Sequence, residues 1–113
     1  MTSKNHHNGS VFRVDKFVVP ATAREEILGK VRMTHELLRR QDGFVRDFVL
    51  EQFSGPGEFN IVTMVEWESQ EAVDRVVPIV KAAHERIAFS PQDTIARLGV
   101  KADIANYQRV PEL

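Results

Sequence analysis

Two strand-like runs, Phe44–Phe53 and Phe59–Trp67, flank the turn signal Ser54-Gly55-Pro56-Gly57. A short Gly/Pro loop between two such runs predicts an antiparallel hairpin. The hairpin constrains the fold because neither run alternates cleanly. In Phe59–Trp67 one face carries Phe59, Ile61, Thr63, Val65 and Trp67, and the other carries Asn60, Val62, Met64 and Glu66. In Phe44–Phe53 the residues Phe44, Phe48 and Leu50 stand against Val45, Val49 and Phe53. A sheet with one wet face alternates apolar with polar residues, so both faces here need a cover. Helices supply one. The simplest cover for the other is a second copy related by a two-fold axis, which predicts a homodimer. Phe12, Phe48 and Met64 are expected in the core.

The remaining elements follow from periodicity and punctuation. Val11–Val19 reads as a first strand closed by Pro20. A helix is expected from Thr22, with Glu25 completing a capping box, to about Arg40. Its inward stripe is Ala23, Ile27, Val31, Thr34 and Leu38, and Gly43 stands ready for a left-handed turn after it. Ser69 caps a second helix running to about Ala88, with a kink or break expected near Pro78, which cannot donate to the Asp74 carbonyl. Ser90-Pro91 starts a short helix that ends before Gly99, and Val100–Val110 is the last strand. The order β-α-β-β-α-(α)-β predicts an α+β, ferredoxin-like fold with a four-stranded antiparallel sheet.

At 113 residues and 42% hydrophobic composition the chain suits one domain, residues 11–113, after a polar arm at 1–10. A net charge of −1 with mixed signs gives no electrostatic case for nucleic acid or for a membrane surface. The absence of cysteine excludes disulfides, zinc-thiolate sites and iron–sulfur clusters, and agrees with a cytoplasmic location. The arm lacks the apolar stretch of a signal peptide, and its His6-His7 pair reads as solvated.

The leading candidate for chemistry is His84. Val73, Val77, Val80, His84 and Ile87 recur at helical spacing and form one apolar stripe. An imidazole on that stripe needs a hydrogen-bond partner, a metal or a ligand. It is either a functional base or a core histidine bonded to a backbone carbonyl or to Tyr107. His35, at the border of the first helix's stripe, is a second candidate base. Trp67, at a strand end, either packs on a helix or lines a pocket. Asp15 and Lys16 point to opposite faces of the first strand, and Asn106 and Tyr107 to opposite faces of the last. Each is a candidate to meet a ligand. No G-x-S-x-G, no H-E-x-x-H and no glycine-rich phosphate loop is present. No carboxylate matches the two histidines at helical spacing, so no metal site is expected.

The stretch Asn60–Ser69 followed by a helix, Gly43-Phe44 after the first helix, and the βαββαβ order resemble the antibiotic biosynthesis monooxygenase family over residues 11 to 110. The resemblance implies a dimeric α+β barrel with a pocket between each sheet and its helices. It implies several activities: quinone-forming oxygenation of aromatic polyketides, quinol oxidation, heme degradation, or isomerisation of a phosphorylated sugar-like signal. Several such oxygenases use no cofactor. Lys81-Ala82-Ala83-His84 resembles the segment carrying the heme ligand, which would make His84 an iron ligand. That branch also has an asparagine where this chain has Asp15 or Lys16, and a tryptophan where it has Val76. Other branches carry Thr-Pro-His where Val77-Pro78-Ile79 stands. The leading expectation is a cofactor-independent monooxygenase acting on a small aromatic or quinol-type molecule. The alternatives are heme binding through His84, a non-catalytic ligand-binding module, or a small isomerase.

Overall fold

A computed structural model describes residues 9–113. Residues 1–8, with His6 and His7, lie outside the described residues. Three runs rich in β-branched and aromatic residues form the strands β1 (Val11–Val18), β2 (Phe44–Glu51) and β3 (Ile61–Trp67), and the more polar run Lys101–Tyr107 forms β4. They make one antiparallel sheet in the order β2-β3-β1-β4. Three helices, α1 (Arg24–Leu38), α2 (Gln70–Arg86) and α3 (Pro91–Leu98), complete the expected ferredoxin-like α+β arrangement.

Helix boundaries follow local chemistry, with two departures. Ser69 Oγ accepts from the Ala72 N–H at 3.1 Å, and Ser90 Oγ accepts from the Asp93 N–H at 3.2 Å. Gly99 closes α3 in the left-handed region with φ 70°. The capping box at Thr22 does not form. Pro20 directs residues Ala21–Ala23 into a 3-10 turn, so α1 starts at Arg24 with no side-chain cap. The Glu25 carboxylate instead accepts from Arg24 Nη1 at 2.9 Å. The break expected at Pro78 is also absent: α2 runs unbroken through it, with the proline exposed to solvent.

The helical stripe of α2 is rotated from its expected position. Val73 and Val76 are buried and Val80 is half-buried, whereas Val77 and Ile87 are 55% and 52% exposed. The stripe facing the sheet is therefore Val73, Val76, Val80 and His84.

Pairing in β2 carries a bulge at Val45: Phe44 lies opposite Trp67, and Arg46, two residues on, lies opposite Glu66. The bulge reverses the face of everything after it. Phe44 stays on the helix side and meets Trp67 edge-on, ring centroids 5.9 Å apart. Phe48 and Leu50, expected beside Phe44, pair with Met64 and Val62 on the opposite face. There they are 48% and 54% exposed. Phe12 and Met64 share that face by register, so Phe12, Phe48 and Met64 lie outside the core.

The core is split. One cluster joins Val11, Val65 and Trp67 to Ala72, Val73 and Val76, with Leu38, Phe44 and Val80 beside them. The other joins Phe17, Val19 and Ile61 to Ala23, Ile27 and Val100, with Val31, Ile95 and Leu98 against it. Gly43 holds the first cluster closed. Its φ of 90° is left-handed, and a β-carbon there would overlap that of Ala72.

Candidate functional site

Between the two clusters the helix side of the sheet turns polar. Alternation on β1 puts Arg13 and Asp15 between Val11 and Phe17, and on β3 it puts Thr63 between Ile61 and Val65. Arg13 Nε donates to Asp15 Oδ1 at 2.6 Å. Thr63 is buried opposite Asp15, and Asn106 lies opposite Arg13. Arg13 and Asp15 share a strand face at a spacing of two, a pattern that could have been read from the sequence.

The same gap exists in the helix layer. On α1, Ile27 and Val31 belong to one cluster and Leu38 to the other; Thr34 falls between them. On α2, Val80 joins the first cluster and His84 lies one turn beyond. Thr34 Oγ1 and His84 Nε2 are 3.2 Å apart and share a hydrogen bond. The partner of His84 is therefore neither a backbone carbonyl nor Tyr107, which sits on the opposite sheet face in register with Phe12. The His84 ring also stands edge-on to Phe89, centroids 4.8 Å apart, and Lys30 Nζ lies 4.8 Å from the centre of the Phe89 ring. Burial, assisted by the charge of Lys30, lowers the His84 pKa below its ordinary value of 6.5. The ring is therefore neutral at neutral pH and keeps one nitrogen lone pair for a proton.

A cleft of about 430 Å³ opens at the α2–α3 junction, lined among others by Lys30, Ile87, Phe89, Thr94 and Arg97. His84 is not on its wall; Phe89 and Lys30 connect the two. Among the described residues no group of three or more His, Asp or Glu side chains is placed to hold a metal ion. No helix among them is long and apolar enough to cross a membrane.

His35 is more enclosed than its border position suggested, at 5% exposure. Its Nδ1 lies 2.9 Å from Asp47 Oδ2. Arg39, one helical turn on, donates to the same carboxylate from Nε at 2.9 Å and from Nη2 at 3.3 Å. Asp47 and Arg39 were not legible as partners, because the β2 bulge puts Asp47 on the helix side. Of the other candidates, Trp67 is buried in the first cluster against Phe44, and Asp15 and Asn106 are on the helix side with the polar band. Lys16 and Tyr107 are on the other face, with Lys16 Nζ 5.9 Å from the centre of the Tyr107 ring and 6.0 Å from that of Phe59.

No family model and no curated protein matches this chain. Solved structures do. A candidate antibiotic biosynthesis monooxygenase of Deinococcus radiodurans is 19% identical, with a TM-score of 0.66 over 88% of this chain and 92% of that one. SnoaB, a cofactor-independent oxygenase from Streptomyces nogalater, is 20% identical, with a TM-score of 0.61 over 90% and 94%. The heme-degrader MhuD of Mycobacterium tuberculosis, with two hemes bound in its active site, is 22% identical, with a TM-score of 0.66 over 88% and 95%. At these identities the likeness is one of architecture, and the chain has the fold of the antibiotic biosynthesis monooxygenase structures.

Proposed function

We propose that this protein is a cofactor-independent oxygenase acting on an electron-rich aromatic molecule of the anthrone or hydroquinone type, with His84 as its base. The observation that carries the reading is a neutral, half-buried imidazole, tied to Thr34 and Phe89 in the gap between two apolar clusters. The likeness to SnoaB supports it. For an anthrone, His84 takes the proton that generates the aryloxide. The anion gives one electron to dioxygen, and the resulting radical and superoxide join in a new C–O bond. The peroxide takes the proton back from the imidazolium, and loss of water leaves a carbonyl where a methylene stood. One dioxygen thus supplies one oxygen to the product and one to water. The protein contributes orientation, exclusion of water and a held base.

Heme is the second reading, supported by the likeness to MhuD. It requires a free imidazole nitrogen. In this chain Nε2 of His84 is engaged by Thr34, and the middle of the sheet's helix side carries the Arg13–Asp15 ion pair. His84, through the ring nitrogen that Thr34 does not engage, is the residue that would hold heme iron, and the Arg13–Asp15 pair is the polar group a porphyrin on the sheet would have to meet.

Oxygen uptake with a panel of anthrones and hydroquinones tests the first reading. Uptake that disappears in His84→Ala supports it; equal rates in the two proteins refute it. A hemin titration giving a Soret shift that is lost in His84→Ala would move the assignment to heme.

The quaternary part of the reading is a homodimer formed through the open sheet face, where Phe48 and Leu50 are exposed beside Met64 and Val62. A cytoplasmic location, which the cysteine-free sequence permits, completes it.

A further inference from the structure

The C-terminal end of α2 follows from local backbone chemistry. The Phe89 N–H donates to the His84 carbonyl at 2.9 Å, and the Ala88 N–H donates to that of Glu85 at 3.1 Å. These are the paired bonds of a helix end turned by one left-handed residue. That residue is Ala88, with φ 54°, at a position glycine usually takes. The turn carries the next side chain back over the last turn of the helix. It puts the Phe89 ring edge-on to the His84 imidazole, centroids 4.8 Å apart.

Helix-end packing explains the side of the ring that meets His84 and not the other side, which opens on the cleft. Phe89 lines that space of about 430 Å³ together with Lys30, Ile87 and Thr94, a volume in the range that holds a small organic ligand. The backbone of Phe89 is fixed by its hydrogen bond. Its ring has two aromatic contacts, the His84 edge and the Lys30 ammonium 4.8 Å from its centre, each worth no more than a few times the thermal energy. We propose that the α2–α3 cleft seats the far rings of a flat polycyclic aromatic molecule, and that the Phe89 ring turns aside so that the near ring reaches the His84 imidazole. Ile87, 52% exposed, gives the ligand an apolar wall. Glu26 is taken by Arg97, which leaves the Lys30 ammonium for an oxygen of the ligand. This rests on the reading of His84 as the base, and it narrows the substrate to molecules long enough to span cleft and imidazole.

Diethyl pyrocarbonate, which acylates neutral imidazole, tests the route without turnover. Labelling of His84 in the full chain is followed by peptide mass spectrometry, with His35 as the internal reference. It is measured with and without anthraquinone-2-sulfonate, a flat probe with no methylene to oxidise. In the wild type the probe is expected to slow labelling of His84 at least about fivefold and to leave His35 unchanged. Asp93→Trp and Arg97→Trp each put an indole on the cleft wall, away from His84, and are expected to remove the protection; either is read alone if the other does not fold. Phe89→Ala is expected to speed labelling of His84 without probe. No protection of the wild type, or equal protection in the folded Trp variants, overturns the cleft as the seat, and an unchanged rate in Phe89→Ala overturns the turning ring. Protection that the Trp variants remove, in a protein that takes up no oxygen with any anthrone, supports the binding site and refutes the oxygenase reading alone.

Discussion

His84 and His35 show how differently one residue type is used by neighbouring environments. His84 has a pKa lowered below 6.5, so the unfolded chain binds its proton first as the pH falls. Stability is therefore complete above the ordinary histidine range and declines as pH drops through 6.5, levelling once the folded ring is also charged. Thermal melts between about pH 8 and about pH 5 should show this decline, and His84→Gln should flatten it. A variant with the wild-type slope would mean that another group titrates. His35 is held by Asp47, whose carboxylate also takes two bonds from Arg39. Asp47→Ala leaves a buried imidazole unpaired and should cost about 1–3 kcal/mol in urea denaturation. With His35→Ala added, the combined loss should fall well short of the sum; strict additivity would show that the two groups do not couple.

At the scale of elements, features set by near neighbours were readable and features set by pairing were not. Ser69, Ser90 and Gly99 act within four residues of themselves, and their helix ends stand where the sequence puts them. The bulge at Val45 depends on how β2 meets β3, and it moves Phe48 and Leu50 to the face opposite Phe44. Pro78 illustrates a tertiary override: packing of Val73, Val76 and Val80 on the sheet holds α2 continuous across a missing hydrogen bond. Gly43 is the sharpest element-level constraint, since the turn into β2 and the first turn of α2 meet there. Gly43→Ala should destabilise by about 3 kcal/mol, from steric overlap plus a left-handed alanine. Ala72→Gly in the same chain should recover only the overlap, and a neutral Gly43→Ala in thermal melts would contradict the close approach.

For the whole molecule the sheet has two unlike faces. One is covered by three helices and interrupted by the Arg13–Asp15 band; the other is apolar and open. Leu50 is 54% exposed in the middle of β2 on the open face. Leu50→Asp would set two charges against apolar surface in a dimer and should shift the sedimenting species from dimer to monomer without loss of helical signal. A wild type that already sediments as a monomer would rule out the second copy. The apolar character of both strand faces was legible in Phe44–Trp67, and it is the reason a cover was expected on each side.

The order of strands and helices, the Ser54–Gly57 hairpin, the capped helix starts and the inward placement of His84 are local properties, carried by periodicity and by side chains acting on adjacent backbone. Only the tertiary structure decided that His84 meets Thr34, fifty positions away, that His35 and not His84 is the more deeply enclosed ring, and that Glu66 is buried with an oxygen to spare. The physical reason is that a sequence pattern assigns a side chain to a face, whereas the group it meets depends on strand register, a bulge and the rotation of a helix about its axis. Those are settled jointly by contacts between segments far apart in the chain.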